Sequence, residues 1–391
     1  MKILHTVESY LPARHGMAEA VRQVSERLVR RGHEVIVATS HDPRREAQVI
    51  EGVRVEEFAV EGRAATGLAG ETERYQKFLL GSDFDVVTNF AAQQWATDLV
   101  LPLLGEIRAR KVFVPTGFSG LLMPEFRDYF RQMPRWMRLY DVNVFHSEEY
   151  RDARFAAEHG IDNVTLIPNG AAADEFLADP PIDARSRLGV REDELLILHV
   201  GDYTGSKGHL EAIEIFSRAR LGDAVLVLVS GGWEGAPAAP PVSRRIRRRA
   251  LVNRFRRKRV CAVALTRPET VAAFQAADLF LFPSNIECSP IVLFECLAAR
   301  TPFLSTDVGN AREIIAWSGS GELLPTRPRR AGPPGWVEAE IELSARALER
   351  LAADELRRRA MAETGFAVWR ERFTWERIAE QYEQLYEGLL S

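Results

Sequence analysis

Apolar residues in this chain occur in short unbroken runs, separated by stretches where they recur every three or four positions. The runs KILHTV (2–7), HEVIVAT (33–39), FDVVTNF (84–90), KVFVPTG (111–117), DVNVFHS (141–147) and NVTLIPNG (163–170) have the length and composition of strands buried on both faces. Between the first two, Met17, Ala20, Val21, Val24 and Leu28 share one face of a helix that Gly32 stops. Strand, helix, strand in that order is a βαβ unit, which implies a parallel sheet with right-handed crossovers. The pattern predicts one doubly wound α/β domain over residues 1–172.

The pattern then restarts. Residues 173–193, rich in Asp, Pro and Arg, read as a linker. LLILHVG (195–201) begins a second set of strands, continued by AVLVLVSGG (224–232), RVCAVAL (259–265), DLFLFPS (278–284) and PFLSTDVG (302–309), with a helix from His209 to Ala219. This predicts a second Rossmann-like domain over 173–370, with ligands expected beyond the strand C-termini. In the tail, 371–391, Trp375, Ile378, Ala379, Tyr382, Leu385, Tyr386 and Leu389 form one apolar face behind an N-cap at Thr374, and Glu376 suits the positive helix end. So aromatic a helix needs a groove, and the prediction is that it returns to the first domain.

With 46% hydrophobic and 27% charged residues and a formal net charge of −4, the composition is globular and gives no reason to expect nucleic acid. Three cysteines, Cys261, Cys288 and Cys296, are no disulfide framework and suit a reducing compartment. MKILHTVESY lacks the apolar core of a signal peptide, and no apolar stretch nears the roughly 18–20 residues of a membrane span. A cytoplasmic location is expected. Lysine occurs at 2, 77, 111, 207 and 258 alone, so Lys207 in the loop GDYTGSKGHLEA (201–212) stands out.

That loop, beginning at Gly201, follows a strand C-terminus, and so does SNIECSPIVLFE (284–295). In the latter, Ser289 reads as an N-cap with Pro290 at the first helical position. The free N–H groups of Ile291 and Val292 then make an anion site fit for a diphosphate. Lys207 suits a diphosphate leaving group whose charge grows as a bond breaks. Glu287 and Glu295, flanking such a site, are better placed to accept hydrogen bonds from neutral hydroxyls than to meet phosphate. The bland reading of the pair is one solvated acid and one paired with a surface arginine.

These segments, in this order, resemble the retaining GT-B glycosyltransferases of family 4, the group 1 glycosyltransferases. The parts that carry the resemblance are KILHTV with the loop ending at Gly16, RGHEVIVAT, LIPNG (166–170), GDYTGSKG, ADLFLFPSNIECSPIVLFE, RTPFLSTDVG with Glu313 beyond, and FTWERIAEQYEQLYEGL. The resemblance runs from residue 1 to about 390 and implies two Rossmann-like doubly wound domains facing across a cleft, with the C-terminal helix crossing back. It implies transfer from a nucleoside-diphosphate sugar to a saccharide or lipid-linked acceptor, in polysaccharide, glycolipid or glycoconjugate synthesis, with no cofactor and no metal. By it, Glu287 contacts the donor sugar, Glu295 the ribose, Ser289 to Val292 and Lys207 the diphosphate, and Gly16 admits the donor close to the backbone. Gly231-Gly232 and Leu265-Thr266-Arg267 would lie at the base. His15, in PARHGMAE, and Thr116 and Gly117, in VPTGFSGLLMPEF, would line the acceptor side.

Three positions depart from the family pattern. Asp202 stands where an arginine is usual and adds negative charge beside the phosphate site, with Arg267 a candidate to compensate. His15-Gly16 replaces paired glycines, and Cys288 replaces a glycine. Asp202 keeps open a non-catalytic saccharide- or partner-binding relative; a nucleotide-sugar epimerase or phosphorylase of the same fold stays open too.

Other signals point elsewhere or nowhere. Asp83-Phe84-Asp85 has the spelling of a metal-binding Asp-x-Asp but leads straight into a strand, which reads as a strand-entry turn. ESYLPARHG after the first strand lacks Gly-x-Gly-x-x-Gly, against a nicotinamide enzyme, and no Gly-x-Ser-x-Gly elbow supports a hydrolase. His5, His146 and His199 lie in strand segments and read as core histidines. RRIRRRALVNRFRRKR (244–259), with ten basic residues in sixteen, reads either as a solvated helix or as a peripheral patch for anionic membrane lipid or an anionic saccharide.

Overall fold

The structure is a computed structural model that describes residues 1–231, 257–330 and 332–391. It divides into two compact units, one of Met1–Asn169 with Trp375–Ser391 and one of Gly170–Thr374.

In the first unit the buried runs become an eight-stranded sheet. Its order is Val164–Leu166, Val142–Phe145, Arg110–Val114, Val86–Phe90, Lys2–Thr6, Glu34–Ser40, Val53–Phe58 and Val49–Ile50. All pairings are parallel but the last, where Val49–Ile50 turns back on Val53–Phe58. The strand cores are apolar on both faces because helices cover both. The C-terminal helix Trp375–Leu390 belongs to this unit and lies on helix Gly16–Arg30. Trp375, Ile378, Ala379, Tyr382 and Tyr386 are buried. Arg27 donates to Glu376 at 2.8 Å, and the Tyr386 hydroxyl lies 2.7 Å from Thr88 Oγ1 and 3.2 Å from His5 Nε2. The Asp83-Phe84-Asp85 turn is spent on the chain entry: Asp83 pairs with the Lys2 side chain, and Asp85 accepts the Lys2 N–H at 2.7 Å.

The second unit holds a six-stranded parallel sheet ordered Lys258–Leu265, Ala224–Gly231, Leu195–Val200, Leu279–Phe282, Phe303–Ser305 and Gly321–Leu323, which is the 3-2-1-4-5-6 order of a doubly wound nucleotide-binding sheet. The linker expected at 173–193 is part of this unit. Helices Ala173–Phe176 and Ala184–Leu188 form there, and Phe176, Leu188 and Val190 join the core. Three apolar anchors outweigh the polar composition between them. The unit is completed by helices Ala311–Ser318, Ile341–Ala353 and Glu355–Arg372 and by an antiparallel hairpin of Thr326–Pro328 and Val337–Ala339.

Of the arginine-rich run 244–259, residues 244–256 lie outside the described residues. At its described end Arg257 and Arg259 are exposed while Lys258 between them turns inward. Lys258 is 1% exposed, and its ammonium donates to the carbonyls of Phe216, Ser217 and Ala219 at 2.7, 3.0 and 2.8 Å. These are the orphan carbonyls at the end of helix His209–Arg218, where a cation is favoured by the helix dipole as well. Lys258→Met keeps the volume and removes the donors. It is expected to lower stability by about 2–3 kcal/mol, measured as a fall in urea midpoint at unchanged slope.

Candidate functional site

Strands Leu195–Val200 and Leu279–Phe282 are neighbours at the point where strand order reverses, so their exit loops lie side by side. The loops are bonded to each other. Asn285 N–H donates to Ser206 O at 2.8 Å, and the Ser284 hydroxyl lies 3.1 Å from the same carbonyl. Gly208, at φ +71°, is required there, since a Cβ would stand 1.9 Å from Pro283 O. This close approach brings Lys207 and Glu287 together: the ammonium donates to both carboxylate oxygens at 2.7 and 2.9 Å, and the Ser284 hydroxyl reaches Glu287 Oε1 at 2.7 Å. Glu287, its side chain 10% exposed, is therefore not a solvated surface acid.

Beneath the Lys207 loop lies a pair of neutral imidazoles. His199 is fully buried with its Nδ1 2.8 Å from Leu281 O, and its ring centroid is 4.5 Å from that of His209. Burial pushes His199 down to about 3 and His209 to about 4, so at neutral pH the positive charge of this loop is that of Lys207.

Helix Ile291–Ala298 starts one residue later than its sequence suggests: Pro290 is the cap, and Ser289 precedes it. The Ser289 oxygen accepts from Asn310 Nδ2 at 3.1 Å, and Asn310 N–H donates to Cys288 O at 2.8 Å, so this serine ties the loop to the next strand's exit. Gly309, at φ +55°, permits this, because a Cβ would stand 2.2 Å from Cys288 O. The N–H groups of Ile291 and Val292 open the helix.

Glu295 is 3% exposed and pairs with Arg267 at 2.5 Å, while Arg267 Nε donates to Glu175 at 3.0 Å. Arg267 is thus shared by two carboxylates and is not a free cation to offset Asp202. Thr266 caps helix Arg267–Ala276, and the Glu269 carboxylate accepts both its N–H and its hydroxyl at 2.9 Å. Gly231 ends strand Ala224–Gly231; Gly232 lies outside the described residues.

The remaining candidates are in the first unit. His15 caps helix Gly16–Arg30, and a Cβ on Gly16 would meet nothing within 4 Å, so the protein's own packing does not demand glycine there. Thr116 and Gly117 lie beyond strand Arg110–Val114, with Gly117 N–H donating to Asp152 at 2.8 Å. Thr116 borders a cavity of about 150 Å³ lined also by Arg63, Gln93, Gln94, Ser119 and Met17. Ala91, Gln93, Thr116 and Phe118 around it have φ of +63°, +61°, +58° and +46°. Left-handed backbone at four non-glycine residues costs about 1–3 kcal/mol each, which the surrounding packing must offset. Gln93 and Gln94 were not among the residues expected here; their one signal in the sequence is a glutamine pair shortly after a buried strand. Among the described residues, no helix is long and apolar enough to cross a membrane.

Residues 14–175 match the family model described as Glycosyltransferase Family 4, and residues 182–331 the model described as Glycosyl transferases group 1. The D-inositol 3-phosphate glycosyltransferase of Corynebacterium urealyticum is 24% identical over a 408-residue alignment covering 96% of this chain and 91% of the relative. That of Corynebacterium aurimucosum is 28% identical over 255 residues, 63% of this chain, which spans about half (56%) of that relative's length. Among solved structures, sucrose-phosphate synthase from Thermosynechococcus elongatus shares the fold, with a TM-score of 0.76 at 20% identity, covering 100% of this chain and 99% of that one.

Proposed function

This chain belongs to the GT-B glycosyltransferases of the group 1, family 4 type, and from that premise we propose that its second unit holds a nucleoside-diphosphate sugar and releases the sugar to an acceptor hydroxyl with retention of configuration. The observation that carries the proposal is the Lys207–Glu287 pair, held where two adjacent parallel strands end, in the loops that lead to helix Ile291–Ala298. A diphosphate set there meets an ammonium and helix N–H groups, which stabilise the charge it gains on leaving. The bond from the anomeric carbon to the diphosphate oxygen breaks, and its electron pair leaves with that oxygen. The acceptor oxygen bonds to the anomeric carbon from the same face, and its proton passes to the departing phosphate. Glu287 orients the sugar hydroxyls and Glu295 the ribose hydroxyls. Positive charge in this account comes from the protein, so no resident metal takes part.

The acceptor is assigned to the first unit, to the cavity bordered by Thr116, with His15 and Gly117 nearby. Since the relatives above are named for D-inositol 3-phosphate, a small phosphorylated polyol is the first acceptor to try, ahead of polymer or lipid-linked ones. The test has two stages. A nucleoside diphosphate at a hundred times its Kd is expected to stabilise the protein by about 2.7 kcal/mol, seen as a rise in Tm. The product of transfer, followed by proton NMR with EDTA present, is expected to keep the donor's anomeric configuration. An inverted product, or turnover abolished by EDTA and restored by a divalent ion, sinks the mechanism. Asp202 favours a second reading, a saccharide-binding subunit without activity. Stabilisation by saccharide and by no nucleoside diphosphate would select it.

A further inference from the structure

We infer that Arg329, on the hairpin of Thr326–Pro328 and Val337–Ala339, is a further cation of the diphosphate site, held there by Asn285. The inference rests on the reading of the second unit as the donor half. Asn285 is 1% exposed and uses all four of its hydrogen-bonding groups. Its N–H donates to Ser206 O at 2.8 Å, and its carbonyl accepts Val337 N–H at 3.0 Å. Its side-chain amide donates to Glu211 at 3.3 Å, and its side-chain oxygen accepts Arg329 Nη1 at 2.7 Å. One residue thereby joins the Lys207 loop, the Glu287 loop and the hairpin.

Arg329 is fixed at three points. Its N–H donates to Trp336 O at 2.9 Å, its guanidinium carbon is 5.4 Å from the Trp336 ring centroid, and Nη1 lies 3.4 Å from Gly205 O. Gly205 is two residues before Lys207, and Asn285 two before Glu287. Charge singles it out among its neighbours. Lys207 is paired with Glu287, and Arg267 with Glu175 and Glu295. Arg329 makes no ion pair among the described residues; the acceptors it holds, a carboxamide and a carbonyl, are neutral. A half-buried guanidinium so held keeps donors and a full charge for an arriving phosphate, and its fork suits two phosphate oxygens. It thereby supplies the charge that Asp202 withholds. The group 1 match ends at residue 331, so the hairpin's return strand lies beyond what that model describes.

Calorimetry on the full chain tests this, with UDP, ADP and GDP and the matching monophosphates titrated into wild type, Arg329→Gln, Arg329→Lys and Lys207→Ala. Arg329→Gln is expected to weaken the preferred nucleoside diphosphate by about 10- to 100-fold and its monophosphate by much less, and Arg329→Lys to recover most of the loss. A purely structural clamp would weaken both nucleotides alike, and that result overturns the inference. So does an Arg329→Gln protein with wild-type diphosphate affinity while Lys207→Ala has lost it; the donor reading then stands alone. If wild type binds none of the six nucleotides, the donor reading falls, and the inference with it.

Discussion

Lys207→Ala is expected to lower kcat by about 10²- to 10³-fold, the loss seen when one preorganised charge-stabilising donor is removed. The substitution has two effects of the same sign. It removes the ammonium, and it leaves the Glu287 carboxylate, whose side chain is 10% exposed, without the cation that now touches both of its oxygens. A bare carboxylate beside the diphosphate then repels the substrate, so donor KM is expected to rise as well. Glu287→Gln retains the Ser284 contact and removes the charge, so it is expected to spare donor binding and lower kcat. Because the two side chains act as one unit, the double variant is expected to lose far less than the product of the single losses. The measurement is release of sugar from the nucleotide, with and without acceptor, alongside a urea melt to confirm the fold. Lys207 is a loop residue with its side chain 28% exposed, so the fold is expected to survive. A Lys207→Ala protein within threefold of wild-type kcat would remove Lys207 from the mechanism.

What could be read from the sequence follows from which signals are local. Strands buried on both faces leave unbroken apolar runs, and each run from KILHTV to PFLSTDVG contains a strand, though KVFVPTG, NVTLIPNG and PFLSTDVG run three or four residues past its end. The amphipathic tail announced its groove because Trp375, Tyr382 and Tyr386 have nowhere else to go. Residues 173–193 misled because three scattered anchors, Phe176, Leu188 and Val190, are too few to show periodicity. Glu287 and Lys207 were legible as candidates, but their contact was not, since it depends on Gly208 bringing two loops 80 residues apart within bonding distance. The partners of Arg267 were hidden for the same reason: Glu175 lies 92 residues away. Thr266 followed three residues later by Glu269 is an N-terminal capping pattern, and it gives Thr266 a structural task independent of any base.

Acid is expected to destabilise the second unit steeply below pH 6.5, and the cause lies directly under the Lys207 loop. His199 and His209 are neutral when folded, with pKa values pushed to about 3 and about 4 chiefly by burial, the nearby Lys207 charge lowering both further. In the unfolded chain both titrate near 6.5. Between pH 6.5 and about 4 the unfolded state therefore binds more protons, so stability falls as pH falls, and it is fully present above 6.5. Two protons correspond to about 2.7 kcal/mol per pH unit, which exhausts a stability of about 5–15 kcal/mol within a few units. No rescue by local solvation is open to His209, whose charge would arise at the positive end of helix His209–Arg218. In the first unit the balance differs. His5, lowered to about 3, gives the same sign, while Asp98, raised by burial to about 6, binds its proton more tightly when folded and opposes it between about 3.8 and 6. Urea melts at pH 7.5, 6.5, 5.5 and 4.5, in wild type and in His199→Phe/His209→Gln, separate these contributions. The double variant is expected to lose about two protons' worth of the pH slope whatever its stability at pH 7.5, since the slope and not the absolute value reports the titration. A variant that keeps the wild-type slope would show that the imidazole pair beneath the loop is not what acid attacks.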